Sequence, residues 1–476
     1  MHRRSGAMDA KKIMAGAVII FTALMFYIIL VSSGSGIVKF TVSVVLMAGC
    51  GICLRVLLGM DGQYGLLLLR TQKGLKYIDD IANAAPRLWQ ACADFGIVLG
   101  FGVSSIFFFK KLPKKTFMVS LLMLILVSQF IAPKVFKVVV ALINIPMDLS
   151  SMSQQMGSMM SIIPLVVFFA MIFFGLCGVT VVGLILNTYS ILWSIAAVVL
   201  SVPGKVLSDA VPGASPIIPG INMPLAEGLI ALAVLLFFHE LSHGILSRIG
   251  KVKLDSAGML LFGLIPVGAF IDPDEKSLEK KDIDAQTRVF AAGSAANLIL
   301  CIIFFLLLTG FETVTAPQLD SGIYVRSVDS NSSAFNAKIA PGDRLVSVDN
   351  TALNWSNIAQ FSSIVADKQF VSLATDKGTY VLEPKTQDGK KVLGIRVEQE
   401  PRYVPAFSWL GFVKNTLGLI FILNFLVGVI NMIPLFMAFD GYRILAIHQK
   451  NPLIIKLISY SLFIMFILNF VPWLWR

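Results

Sequence analysis

The chain has 476 residues, 56% of them hydrophobic and 14% charged, with a mean hydropathy of +0.81. That balance excludes an ordinary soluble globular protein and indicates a membrane protein. The net charge of +11 does not imply a nucleic-acid partner. The basic residues cluster as "HRRSG", "KLPKK" and "GKVK" beside apolar segments, where membrane lipids and their anionic headgroups account for them better than a nucleic-acid stripe would.

Crossing the hydrocarbon takes about 20 helical residues. In chain order, apolar runs at Ala15–Val31, Val42–Leu58 and Phe95–Phe109 predict the first crossings. Phe117–Leu142 is interrupted by Pro133 and two lysines, which predicts a kinked span or a span with an interfacial tail. Ile162–Val202 is too long for one crossing and predicts two, with the turn at "LNTYS", Leu186–Ser190. Residues 1–202 are therefore read as an N-terminal accessory membrane region, and 203–225 as a Pro/Gly-rich linker. The segment around Leu235, then Val289–Leu308, Phe412–Ile433 and Leu453–Leu474, bring the total to about eight to ten. The first run is followed by further spans and lacks a small-residue cleavage site, so it is read as a retained anchor. Arg3, Arg4, Lys11 and Lys12 favour a cytoplasmic N-terminus, and Arg70, Lys73 and Lys76 agree after two crossings, but "KKLPKK" then falls on the opposite side. Cys50 and Cys53 lie in a membrane segment without two further ligands and read as packing residues.

The chemistry sits in "LLFFHELSHGIL", Leu235–Leu246, which holds two of the chain's four histidines. On a helix His239 and His243 are four residues apart, so both rings emerge from one face and reach a common ion. Glu240 lies about 100° around the helix, where it approaches a water rather than the ion. This arrangement fits a zinc hydrolase: the metal acidifies water and polarises the scissile carbonyl, and the glutamate moves the proton. Ionisable groups in hydrocarbon cost on the order of 3 kcal/mol each, so the three require an internal partner. Mutual satisfaction between helices, without metal, is the bland alternative.

His2 and His448 are poorly placed to add a ligand, so an acidic third ligand is expected. In "NMIPLFMAFDGYR", Asn431–Arg443, Asp440 is the acidic residue. Pro434 should interrupt the helix and Gly441 permits a turn beside the ligand; the alternative makes both the end of a span, with Asp440 at the headgroups. Asn431 offers an amide to substrate or to a neighbouring loop. Between the two motifs, "SAGMLLFGLIPVGAFIDPDEKS", Ser256–Ser277, reads as a re-entrant hairpin or a plain connector. As a hairpin it would present an edge on which an unwound substrate strand could pair. In "RVFAAGSAANLIL", Arg288–Leu300, the small residues suit close helix packing, and Asn297 either contacts substrate or cross-links helices. The core is thus expected in two parts, 226–310 and 410–476.

The intervening 311–409 segment is water-compatible. "GIYVRSV", "FVSLAT", "GTYVLEP" and "KVLGIRVEQ" read as short strands separated by turn residues, with one short helix over Asn354–Val365. "APGDRLVSVDN", Ala340–Asn350, and the preceding "GIYV" resemble the turn and strands of PDZ domains, which implies a peptide ligand or control of access.

Together, "PGINMPL", "HELSH", "LFGLIPVGAFIDPDE", "AAGSAANLI", the PDZ-like insert and Asn431, Pro434, Asp440 and Gly441 resemble the site-2 protease family of intramembrane zinc metalloproteases. The resemblance covers about Pro219–Ile447, and "GAF" followed by acidic residues looks closest to the branch of the animal enzyme and its archaeal relatives. It implies one zinc ion on His239, His243 and Asp440, Glu240 as catalytic base, and transmembrane proteins as substrates. Asp440 follows Asn431 by nine residues, where the family more usually has eight. The fold expected is a polytopic α-helical membrane protein with a small β-rich PDZ-like soluble domain inserted in its catalytic core. Its location would be the plasma membrane in a prokaryote or an internal membrane in a eukaryote. The rival reading is a non-catalytic membrane adaptor whose insert binds peptides.

Overall fold

The computed structural model describes residues 2–33, 36–72, 74–131, 133–135, 163–202, 207, 210–215, 218–220, 223–320, 322–353, 358–366, 368–387, 390–399 and 402–475. Much of the 203–225 linker, the tail of Phe117–Leu142, and Asn354 lie outside them. Among the described residues, nine helices are long and apolar enough to cross a membrane, and the chain is a multi-pass integral membrane protein. Helices suit these sequences because hydrocarbon offers no partner for backbone N–H and C=O groups, so each must be satisfied within its own segment.

Among the described residues, the α-helices of nine residues or more are, in chain order, α1 (His2–Val31), α2 (Gly36–Leu58), α3 (Leu75–Ala84), α4 (Pro86–Phe101), α5 (Lys114–Leu126), α6 (Ile163–Val199), α7 (Leu225–Ile249), α8 (Ile283–Thr315), α9 (Trp409–Met432), α10 (Asp440–His448) and α11 (Pro452–Leu468). One buried cluster joins Leu99 of α4, Leu124 of α5 and Cys177 of α6 to Leu235 of α7, Leu298 of α8 and Phe421 of α9. Segments upstream of residue 202 thus share a core with the helices that carry the polar motifs.

The predicted turn at Leu186–Ser190 is not there: those residues continue α6, and the break falls at Gly175, with φ 64 and ψ −159. The cause is a close backbone crossing. A Cβ on Gly175 would lie 2.3 Å from the Gly100 carbonyl oxygen, and one on Gly102, itself at φ 60, would lie 2.3 Å from the Ile172 oxygen. Two left-handed glycines from different segments interlock, a contact that the hydropathy of either segment does not reveal.

Ser256–Ser277 forms a hairpin, β3 (Leu254–Phe262) and β4 (Ile265–Pro273), with a register shift between Leu260 and Leu261. It belongs to a larger sheet. β1 (Asp61–Gln63) and β2 (Leu66–Thr71) extend it in the antiparallel order β1-β2-β3-β4, with Leu66–Thr71 paired against Phe262–Ala257. Tyr64 (φ 52) and Gly65 (φ 86) make the β1–β2 turn; two positive φ values suit a tight hairpin that follows the strands' twist. Among the described residues β4 is the terminal strand on its side.

Thr309–Asn415 is a compact unit by itself. Its antiparallel sheet runs Gly378–Leu382, Val371–Thr375, Arg344–Val348, Ile323–Val328, Ile395–Gln399, with Thr351–Ala352 against Arg344–Val348. Ile323, Val325, Leu345, Val371 and Leu373 point inward with period two and form its core with Val365 from the short helix Ala359–Ala366. In the "APGD" turn, buried Asp343 accepts from the Ala340 N–H at 2.9 Å.

The glycine crossing yields a paired prediction. Gly102→Ala should destabilise the chain by about 1–3 kcal/mol, the usual size of a strained backbone position. Gly183→Ala, in α6 with nothing within 4 Å of the added Cβ, should be neutral or mildly stabilising. Thermal unfolding of both variants in one detergent checks this.

Candidate metal centre

α7 carries the histidine motif because its apolar residues bury one stripe, Ala231, Leu235 and His239, in the bundle. His239 and His243 meet as the four-residue spacing requires, with Nε2 atoms 3.3 Å apart. Asp440 arrives from α10, its Oδ2 3.8 Å from His239 Nε2 and its Oδ1 3.5 Å from His243 Nε2. His239 and Asp440 are 8% and 6% exposed, so bulk water does not screen this gathering of donors. One ligand atom from each residue lies within 4.8 Å of the others.

The donor chemistry fits a metal. Nδ1 of His243 is 2.7 Å from the Val289 carbonyl oxygen; a carbonyl only accepts, so the ring proton belongs on Nδ1 and the Nε2 lone pair faces Asp440. Nδ1 of His239 is 3.0 Å from the Asn297 amide nitrogen, while the amide oxygen is buried without a hydrogen-bond partner. The two ends of an amide are assigned by their hydrogen bonds. Turned over, Asn297 accepts from His239 Nδ1–H, its oxygen is satisfied, and both Nε2 lone pairs converge. Two lone pairs and a carboxylate at such distances repel unless a cation lies between them. A tetrahedral zinc at its usual bond lengths would space its ligands about 3.4 Å apart; the two Nε2 atoms stand 3.3 Å apart, and the carboxylate oxygen nearest each lies 3.8 and 3.5 Å away.

The space for that ion is kept by Gly293 of α8, where a Cβ would lie 2.4 Å from His239 Nε2 and 2.5 Å from His243 Nε2. In the sequence this glycine reads as a helix-packing residue; the fold places it against the histidines. Ser294, next along α8, was not singled out either, and its hydroxyl donates to Asp440 Oδ2 at 2.7 Å. Asn431 Nδ2 donates to the same oxygen at 3.1 Å and lies 3.3 Å from His239 Nε2. Oδ2 is therefore held, and Oδ1 is the freer donor.

The nine-residue gap between Asn431 and Asp440 is accommodated. α9 ends at Met432, Pro434 follows in an irregular loop, and helix resumes at Asp440. Gly441 is there for room rather than for an unusual φ: a Cβ would lie 2.0 Å from the Met432 carbonyl oxygen, where the loop folds back on its own helix.

Glu240 does not join the three donors. Its Oε2 accepts from the Ile271 backbone N–H of β4 at 3.0 Å, which ties the carboxylate to the sheet edge. The site thus has a ligand face built by α7, α8 and α10 and a separate carboxylate at its margin. His448 lies elsewhere, its Nε2 3.0 Å from Thr287 Oγ1 and its ring edge-on to Phe108.

The model of peptidase family M50 matches residues 227–471, more than half of the chain. An uncharacterized protein of Methanocaldococcus jannaschii is 28% identical over 231 residues, 47% of this chain and 58% of the relative. The regulator of sigma-E protease of Salmonella typhimurium is 27% identical over 231 residues, 39% of this chain and 49% of the relative, and the Salmonella typhi protein matches equally. The chain thus spans about half the length of the curated relatives it matches.

Gly293→Ala should abolish tight metal binding while leaving helix content unchanged, because one methyl would occupy the space between the donors. Ser294→Ala should weaken metal affinity about 10–100-fold, the usual cost of removing a group that orients a ligand. Metal content after dialysis against a graded chelator, with circular dichroism on the same samples, reads both.

Proposed function

We propose, on the premise that this chain belongs to peptidase family M50, that it is an intramembrane zinc metalloprotease that hydrolyses peptide bonds of transmembrane proteins. The observation that carries this reading is the convergence of His239, His243 and Asp440 inside the helical bundle with Glu240 beside them. His239 Nε2, His243 Nε2 and one Asp440 oxygen would hold a single zinc ion. Bound there, zinc supplies a Lewis acid that acidifies water and polarises a carbonyl.

The protein's own groups divide the remaining work. Val289 fixes the tautomer of His243, and Asn297, with its amide oxygen turned to the ring, would fix that of His239. Ser294 and Asn431 hold Asp440 Oδ2 and so orient Oδ1. Glu240 stands outside the ligand set, where a carboxylate is free to take a proton from water and hand it to the leaving amine. Its hydrogen bond from Ile271 keeps it beside the sheet rather than on the ion. Asn431, half-buried beside the ligands, already donates to Asp440 Oδ2, and its second N–H would be the one to offer to a substrate carbonyl.

A substrate helix must unwind before its peptide bonds are accessible. β4 ends the four-stranded sheet and passes Glu240, so an extended substrate segment added to that edge would run past the base. The Thr309–Asn415 unit, read as PDZ-like, would take a peptide and govern which substrates reach the site.

Glu240→Gln is expected to retain stoichiometric zinc and lose cleavage of a transmembrane reporter by at least 10²-fold, at the lower end of what a general base contributes. His239→Ala and Asp440→Ala should lose zinc as well. Reporter cleavage in reconstituted vesicles, paired with zinc analysis, checks both; normal cleavage by Glu240→Gln would remove this residue from the chemistry.

A further inference from the structure

Asp94 lies in α4, well before the matched segment, and is 2% exposed. Its carboxylate makes a two-pronged pair with Arg288 at the start of α8: Nε to Oδ1 at 2.6 Å and a terminal guanidinium nitrogen to Oδ2 at 3.1 Å. The guanidinium also lies 5.2 Å from the centre of the Phe109 ring. A buried ion pair between membrane helices costs desolvation that its attraction only partly repays, so stability alone is a weak reason for it. Its location supplies a better one, because the residue after Arg288 is Val289, whose carbonyl oxygen receives the Nδ1 proton of His243 at 2.7 Å.

Other contacts grip the same helix from the same side. Asp284 accepts from the backbone N–H groups of Lys110 and Lys111, at 2.8 and 3.2 Å, one turn before Arg288. Two turns after it, Gly96 of α4 meets Ala295 so closely that a Cβ on the glycine would lie 2.2 Å from the alanine Cβ. Asp284, Arg288 and Ala295 bracket Val289 and Gly293. The axial position of α8 is thus set by the segment from Asp94 to Lys111, and with it the height of one histidine's proton acceptor and of the glycine that leaves room for the ion.

We propose that Asp94 is a positioning residue for the metal centre: through Arg288 it sets the first turns of α8 so that the Val289 carbonyl holds His243 with Nε2 toward the ion. The segment from Asp94 to Lys111 is then part of the machinery rather than an accessory to it. This rests on the reading that His243 is a metal ligand.

The test must separate positioning from stability. In the full chain, Asp94→Leu combined with Arg288→Met replaces both charges with apolar groups of similar size, a change that commonly preserves or raises stability. Asp94→Asn, which keeps the shape and one hydrogen bond, is the milder companion should the double variant not fold. Zinc affinity is read by competition with a chromophoric chelator, with the thermal midpoint of the zinc-free protein measured alongside. The expected result is about a tenfold or greater loss of zinc affinity in the double variant and a smaller loss in Asp94→Asn, with midpoints near that of the unaltered chain; tenfold is the lower end of the usual cost for a group that orients a ligand. Asp94→Glu should recover part of the loss. Unchanged zinc affinity in the folded variants, while His243→Ala loses zinc, would overturn the positioning role and leave the ligand assignment standing. Unchanged affinity in His243→Ala would overturn the ligand assignment and this inference with it.

Discussion

The arrangement turns on two imidazole nitrogens held 3.3 Å apart inside a membrane bundle, with a carboxylate facing both. The Val289 carbonyl gives one ring a fixed tautomer and Asn297 can give it to the other, so both nitrogens present lone pairs to the same space. Such a gathering of donors is unstable in low dielectric without positive charge. The features around it answer that constraint: a glycine where any side chain would intrude, a serine and an asparagine that hold one carboxylate oxygen, and a loop that reverses tightly enough to bring Asp440 back past the end of α9.

The same constraint explains why the helices upstream matter. Three donors from α7 and α10 converge only if α8 stands at the right height, and α8 is held by α4 through an ion pair, backbone hydrogen bonds and a glycine contact. α4 is in turn anchored to α6 by the interlocked glycines 102 and 175. β1 and β2 extend the sheet whose terminal strand donates to Glu240. Zinc chemistry at this centre would therefore depend on residues spread through both halves of the chain.

How much of this was legible beforehand depended on how local the signal was. The meeting of His239 and His243 is legible because one helix fixes their spacing. Asp440 was found by scarcity, as the acidic residue of an apolar stretch, and the insert by its change of composition. Gly293 and Ser294 were hidden in a run of small residues that is also what helix packing looks like; only the register between α7 and α8 separates the two. Gly175 was missed in favour of a polar-looking turn because its break comes from another segment's backbone. The hairpin at Asp61–Thr71 was missed because "LLLL" lacks the alternation that marks a half-buried strand, and its pairing partner lies nearly 200 residues away.

Zinc at the proposed site would be held by two imidazoles and a carboxylate. X-ray absorption at the zinc edge of the purified full chain tests this ligand set most directly. One zinc per chain, a nitrogen and oxygen shell at about 2.0–2.1 Å, and scattering from two imidazole rings are expected. A sulfur shell at about 2.3 Å, or a single imidazole, would contradict it.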